Sequence, residues 1–521
     1  MFRILLSLLC ILSVVAKLNA QGEGNVWTFG YHNGLDFNTS PPTFIQTSNV
    51  SIEGSASIAD AAGNLLFYSN GNDVWSANGT VMPNGAGILG NGAGFGVLGS
   101  CAQGVGIVKS LGNPNQYYLF TLDAAEQVNT WNYPGYLRYS LVDMSLNGGN
   151  GDVVATQKNI VLDSAMSEKM TIAKGAGCYY WLLTHRNNSA TYRAFKIDAT
   201  GIHPGVSSTG TWDGDMGAGQ LKISADGTKV AITTTYAGKG IELGEFNNAT
   251  GMVSNTIMFD ALVGVSRIGT CFSPDGTKLY ATSFGDLAQY DISAFPNAAA
   301  ITASKVVLGG GSHNSNLRMG PDNKIYVAYY QSHPYIGVIE FPNAAGLACG
   351  LNTTALLQSA WSIYPGVSGN ARGHGLGNDI VVGLLGDTTV GITSDTLLCF
   401  EQSLTITAPA GSTDYLWNDG TTTPVRTINA DGVYHVYTYE SCAVQVDTFK
   451  VRFINFDLAL GADTAICPDA NLLLDASVAG ASYKWHNNST SASFNVEQAG
   501  TYSVMVDIEG CKAYDTVVVS V

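Results

Sequence analysis

Charge is what this sequence has least of. Only 12% of its 521 residues are Asp, Glu, Lys or Arg, where an average soluble domain has about a quarter. A cytosolic helical protein is a poor fit to that value. Basic residues are scarcer still: 24 Lys and Arg face 40 Asp and Glu, a formal net charge of −16. No broad basic surface is left for a phosphate backbone or an anionic bilayer, which excludes nucleic acid as a partner and disfavours membrane surfaces. Beyond the N-terminus no apolar run approaches the roughly 20 residues that cross a bilayer, so no direct membrane insertion is expected. Catalytic signatures are missing too: there is no C-x-x-C, G-x-S-x-G, H-E-x-x-H or Walker sequence. Zinc peptidase, serine hydrolase and nucleotidase therefore have no local support.

What is abundant is turn and strand chemistry. Gly supplies 61 residues and Tyr 25, with Thr, Asn, Val and Ser also frequent, the profile of many short strands joined by tight turns. The expected fold class is all-β. Residues 1–20 have the form of a secretory signal: Arg3 gives a positive start, Ile4 to Ala16 an apolar stretch, and Ala20 a small residue before a cut at Gln21. Leu9 before Cys10 argues against a lipoprotein. The mature chain, without Arg3 and Lys17, keeps 22 basic and 40 acidic residues, a net charge of −18. It is expected to be exported, to the cell surface or the medium, with the periplasm as the alternative.

Two families of internal repeat follow. In the first, a β-rich run meets a Gly- or Asn-containing turn and a second β-rich run. The copies are SIADAAGNLLFYSNG, GIVKSLGNPNQYYLFTLD, MTIAKGAGCYYWLLTH, LKISADGTKVAITTT, CFSPDGTKLYATS and LRMGPDNKIYVAYY, 47 to 62 residues apart. That is the length of a β-propeller blade, a four-stranded sheet that buries its faces only against its neighbours. Residues 21–385 are expected to form a propeller of seven blades, with six the alternative. The last blade would take the Tyr335–Glu340 strand and the segment up to Val382, and the N-terminal VWTFG strand would close the ring. The Asp-Gly pairs are read as type I′ hairpin turns.

Past Gly386 a repeat of about 68 residues begins. Cys399, Trp417 and Cys442 in the first copy correspond to Cys467, Trp485 and Cys511 in the second. Alternating runs, a core Trp and a Gly-x-Tyr before a late strand read as two small immunoglobulin-like sandwiches, 386–454 and 455–521. Tyr434 and Tyr502 are candidate corner tyrosines. The expected disulfides are Cys399–Cys442 and Cys467–Cys511, each tying an early loop to a terminal hairpin and each worth about 3–4 kcal/mol in the chain-entropy model. Cys101, Cys178, Cys271 and Cys349 allow three pairings or stand as buried thiols.

Candidate sites are few. Asp213 and Asp215, in TWDGDMGAG, have the Asp-x-Asp-x-Gly start of a Ca²⁺ loop but lack its downstream bidentate acid. They are the metal candidates, and no other cofactor is expected. His185, His203, His313, His333 and His374 could meet at a propeller axis, though no pair has ligand spacing. Trp75, Trp131, Tyr133, Tyr136, Trp212 and Trp361 could stack on sugars, with blade core as the plainer reading. SPDGTKLY lacks the spacing and Trp of a sialidase Asp box.

VWTFGYHNGLDFNTSPP, EGSASIADAAGNLLFYSNGNDVWSANGTVMPNG, LRYSLVDMSLNGGNGDV and SEKMTIAKG resemble the opening of the exported, gliding-motility-associated and type IX secreted surface proteins of the Bacteroidota. SPDGTKLY resembles their WD40-like repeat, and Leu460 to Cys467 resembles the opening of their Ig-like or PKD-like modules. Asp-Ser/Thr-apolar triplets at Asp163, Asp395, Asp463 and Asp515 resemble the O-glycosylation signal of that phylum. The resemblance implies a noncatalytic binding or adhesion role toward an extracellular glycan or protein. Such proteins usually end in a sorting domain read by the export machinery, whereas this sequence stops at Val521. The chain is thus expected to be no enzyme, with a carbohydrate-active propeller hydrolase or lyase, or a structural envelope component, as the alternatives.

Overall fold

The computed structural model of the protein describes residues 22–92, 100–124, 134–211, 219–234, 238–261, 266–283, 285–309, 314–329, 333–358, 375–379, 388–409, 414–440 and 443–521. The chain divides into two compact units, Met1–Gly386 and Asp387–Val521. Among the described residues no helix is long and apolar enough to cross a membrane.

The first unit is a β-propeller. Its described strands form seven successive antiparallel sheets, numbered here 1 to 7 in chain order, whose first strands are Val26–Phe29, Ala56–Ala59, Val105–Lys109, Met166–Lys174, Leu221–Ile223, Thr270–Phe272 and Asn314–Met319. Each first strand touches the next, so together they form an inner wall. The ring closes where Trp27, Phe29 and Leu35 of sheet 1 pack on Tyr326, Ala328, Ile336 and Val338 of sheet 7.

Sequence pattern explains the stacking. A first strand such as Val105–Lys109 is buried along most of its length because its side chains meet a neighbouring sheet on one face and the axis or the opposite neighbour on the other. Apolar clusters fill the spaces between sheets: Phe67, Val105 and Leu119 between sheets 2 and 3, Leu183, Leu221 and Val230 between 4 and 5, and Leu279, Phe259 and Tyr290 between 5 and 6. Each fully buried Leu, Val or Phe contributes about 1.5–3 kcal/mol. Between sheets 3 and 4 the approach is closer. A Cβ on Gly106 would sit 3.2 Å from Met170 Cε, so glycine leaves that space to the methionine.

Three expectations are revised here. The VWTFG segment does not complete the last blade: it opens sheet 1, which also holds Tyr31–Asp36 and Thr43–Val50, while sheet 7 completes itself with Leu351–Leu357. Among the described residues the ring therefore closes by side-chain packing between sheets 1 and 7. The Asp-Gly turns are also not type I′. At Ser224–Gly227 and Ser273–Gly276 only the glycine has positive φ, +69° and +68°, and its amide donates to the serine carbonyl three residues back. That is a type I turn followed by a left-handed glycine. Asp226 and Asp275 lock it by accepting from Ser224 Oγ and Ser273 Oγ and from the amides of Thr228 and Thr277.

The second unit holds two sandwiches of identical topology. In the first, Thr388–Cys399 pairs in parallel with Ala443–Ile454, followed by Gly432–Glu440 and Asp414–Trp417, and a two-stranded sheet, Leu404–Thr407 with Val425–Ile428, completes it. The second repeats this order with Thr464–Ala465, Cys511–Ser520, Gly500–Ile508 and Ser482–Trp485, plus Leu472–Asp475 with Ser493–Val496. Trp417 and Trp485 are buried in the two cores. Tyr434 Oη donates to Ala430 O at 2.8 Å and Tyr502 Oη to Gln498 O at 2.7 Å, so both are corner tyrosines.

The third revision concerns the disulfides. Cys399 is bonded to Cys511 across the two sandwiches, which replaces the expected Cys399–Cys442 and Cys467–Cys511 pairs. Cys399 ends its strand opposite Ile454, where the chain passes from one sandwich to the next, and Cys511 starts the last hairpin strand of the second. Nearby, Arg452 of the adjoining strand Ala443–Ile454 and Glu509, in the turn before Cys511, form an ion pair at 2.6 Å. Repeat symmetry suggested equivalent bonds within each copy, but the junction brings inequivalent cysteines together. Cys467 is an exposed thiol, and Cys442 lies outside the described residues. In the propeller, Cys271 and Cys349 are buried thiols, Cys101 is buried, and Cys178 is disulfide-bonded.

Candidate functional site

Several sequence-based candidates fall outside the described residues: Asp213, Asp215, His313, His374, Trp131, Tyr133, Trp212 and Trp361. The described histidines do not converge. His185 is buried in sheet 4, where desolvation and then the charge of Lys169 push its pKa down to about 3. His203 pairs with Asp198 at 2.7 Å, and His333 packs on Tyr329 with ring centroids 4.2 Å apart. Among the described residues no group of three or more His, Cys, Asp or Glu side chains is placed to hold a metal ion. Trp75 is buried and stacks on Tyr68, and Tyr136 lies under the Arg138 guanidinium, so both serve packing.

The polar residues that do come together line the propeller axis. Two glutamines knit the inner wall. Gln103 Oε1 accepts from Leu221 N at 2.7 Å and Met170 N at 3.3 Å, while its Nε2 donates to Leu221 O. Gln220 Oε1 accepts from Thr270 N at 3.0 Å and Leu317 N at 3.2 Å. These side chains add sheet-to-sheet hydrogen bonds to the backbone bond from Gln103 N to Glu168 O.

A short strap, residues 375–379, enters the same space. Asn378 N donates to Ser55 O and Asn378 Nδ2 to Val105 O, which fixes the strap against sheets 2 and 3. Gly375 is hemmed in: a Cβ there would lie 1.8 Å from Glu53 O. Asp379 ends the strap by pairing with Lys222 of sheet 5, and its Oδ1 lies 3.7 Å from Arg318 Nε of sheet 7. Arg318 Nη1 donates to Leu376 O at 2.7 Å, and its guanidinium stands 4.0 Å over the Trp27 ring. Burial brings the Arg318 pKa down to about 10, with Asp379 opposing the shift. Cys271, near Lys222, is pushed up to about 12 by burial and stays a neutral thiol.

Lys169 lies at a bulge in the first strand of sheet 4 and is fully buried. Desolvation lowers its pKa to about 7 against the opposing pull of Glu168 and Cys101. Glu168 Oε2 in turn accepts from Ala102 N at 2.9 Å. The side chain is wholly enclosed, so the shift reflects the cost of burying an ammonium.

Sequence reasoning missed Lys169, Lys222, Arg318 and Asp379. A signal existed for two of them: Lys222 and Arg318 each stand five residues before the turn residue of their repeat, Gly227 and Asn323, between two apolar residues of their first strands. Asp379 carried none, because only the tertiary path of the strap brings it there.

A separate cleft of about 430 Å³ opens between sheets 1 and 2, lined by His32, Gln46, Thr47, Ser48, Tyr68 and Asn78 among others, with no Asp, Glu, Lys or Arg. His32 Nδ1 is 2.9 Å from Thr47 O, and Tyr68 Oη accepts from Ser48 N.

No family profile and no curated protein matches the chain. Similar solved structures include a Bacteroides fragilis protein provisionally named a 6-phosphogluconolactonase, 13% identical, covering 64% of this chain and 94% of that one, TM-score 0.40. A Kluyveromyces lactis Hsv2 is 10% identical, covering 61% and 90%, TM-score 0.36. A Pseudomonas aeruginosa periplasmic gluconolactonase is 12% identical, covering 77% and 99%, TM-score 0.35. The expectation that the chain is no enzyme is corrected at this point. Structures similar to it carry lactonase names, and the absence of a local motif does not speak against a site assembled from separate blades.

Proposed function

We propose that the chain is an exported binding protein whose propeller presents the ligand face and whose two sandwiches act as a spacer. The observation that carries this reading is the Cys399–Cys511 disulfide, since such bonds persist in oxidising compartments outside the cytosol. The N-terminal apolar stretch and the resemblance to Bacteroidota surface proteins support the same address. The uncharged cleft between sheets 1 and 2, lined by amide, hydroxyl and imidazole groups, suits a neutral glycan.

A carbohydrate-active propeller enzyme acting at the same cleft is the second reading, because a propeller can assemble a site from separate blades without a local motif. One experiment addresses both. Residues 21–521 are screened on a glycan array, and each glycan that binds is incubated with the protein and analysed for products. Saturable binding without turnover supports the binding protein, and cleavage supports the enzyme. A blank array together with exclusively cytosolic protein in cell fractionation overturns both.

A further inference from the structure

The charged clusters of the propeller differ in one respect. Between sheets 5 and 6, Arg267 and Lys305 face Asp260 and Asp286, two cations to two carboxylates, with Tyr290 donating to Asp260 Oδ2 at 2.6 Å. Arg138 is matched by Asp123 at 2.6 Å. At the axis, Lys222 and Arg318 share the single carboxylate of Asp379. An ammonium offers three N–H donors and a guanidinium five. Among the described residues these two side chains have two hydrogen-bond acceptors: Asp379 Oδ2 for Lys222 and Leu376 O for Arg318.

Both cations are nearly inaccessible, with side-chain exposures of 4% and 3%, whereas Asp379 is 32% exposed. Asp379 Oδ1 is itself buried without a hydrogen-bond partner. Buried charge is retained only where it is paired and its donors are met, and a guanidinium in particular favours a bidentate oxyanion. Among the described residues the cluster thus has a surplus positive charge and surplus donors, and its one acidic member is partly exposed.

We propose that Lys222 and Arg318 form an axial site for a small anion, a carboxylate- or phosphate-bearing molecule, and that Asp379 on the strap competes for it. The ligand oxyanion takes up the free donors of Arg318 and shares Lys222 with, or takes it from, Asp379. This goes beyond the glycan-binding reading and does not depend on it, because the cleft between sheets 1 and 2 involves other residues.

The test is isothermal titration calorimetry of the full chain with glucuronate, inorganic phosphate and, as the uncharged control, glucose, at constant ionic strength in chloride. Saturable binding of glucuronate or phosphate with no response to glucose is the expected result, and the tighter anion identifies the ligand class. Asp379→Asn, which keeps the shape and removes the competing charge, should tighten binding about tenfold. Lys222→Gln should weaken it at least tenfold and leaves the Arg318–Trp27 stack intact. Arg318→Lys, which keeps the charge and loses the fork, should do the same, and circular dichroism with thermal melting confirms that each variant is folded. The proposal is overturned if neither the wild-type chain nor Asp379→Asn binds either anion saturably, or if Lys222→Gln and Arg318→Lys bind as the wild type does.

Discussion

At the residue scale the propeller wall carries ionisable groups where an ordinary core would be apolar, and Lys169 is the sharpest case. Its folded pKa, about 7, lies below the ordinary 10.5 because burial opposes the ammonium. Between those values the unfolded chain binds the proton and the folded chain does not. Stability therefore rises with pH across the window from about 7 to about 10, and below pH 7 the cost of the buried charge is present in full. Lys169→Met should flatten that rise in the melting temperature, measured from pH 7 to 10. An unchanged slope would place the titration elsewhere. Asp291 behaves oppositely. A hydrogen bond from Ser293, then Lys278, holds its carboxyl down to about 2. Its contribution is present above pH about 4 and is lost as pH falls toward 2, so Asp291→Asn should reduce the acid sensitivity of the melting temperature in that range.

At the element scale the repeats explain themselves through matched backbone bonds. Asp447 accepts the amide of Ile392, and Asp515 accepts that of Leu460 at 2.6 Å. Both donors and both acceptors are 68 residues apart, so each aspartate anchors the incoming first strand of its own sandwich. Asp447 is fully buried, and Asp447→Ala leaves an amide unmatched, for an expected loss of about 1–3 kcal/mol. Removing the corner hydroxyls by Tyr434→Phe or Tyr502→Phe should cost about 1 kcal/mol each. Urea unfolding of the full chain by near-ultraviolet circular dichroism checks both, and a loss at Tyr434 larger than at Asp447 would contradict the ranking. The corner tyrosines and core tryptophans were legible in the sequence because Gly-x-Tyr and the isolated Trp are local signals. The anchoring role of Asp447 was not, because its partner is 55 residues away.

For the second unit as a whole, the disulfide is the decisive cross-link. It closes a 112-residue separation, worth about 4–5 kcal/mol in the chain-entropy model against about 3–4 for either of the shorter expected loops. Cys399→Ser and Cys511→Ser should destabilise the chain equally, and the double variant should lose no more than either single one. Non-reducing peptide mapping should recover a Cys399–Cys511 peptide, and a Cys467–Cys511 peptide in its place would refute the assignment. In the first unit, the six quoted hairpin repeats became the first two strands of sheets 2 to 7, since strand period and turn chemistry act over a few residues. Sheet 1 was legible only as a lone strand: its turn at Gly30 lacks the Asp-Gly or Asn-Gly signature, and its first two strands show no regular alternation.

The sequence by itself determined what depends on local chemistry: an all-β chain, a propeller followed by two sandwiches, the turns that punctuate both, and the tryptophans and tyrosines of the sandwich cores. Tertiary structure decided everything that needed distant segments to meet. It chose Cys511 for Cys399 because the strand ends abut at the junction, closed the ring through Trp27 and Tyr326, and carried Asp379 to Lys222 and Arg318 across 157 and 61 positions of sequence. Repeats encode the shape of each blade, but where the blades and the strap converge is set by packing between them, and the axial charges lie at that convergence.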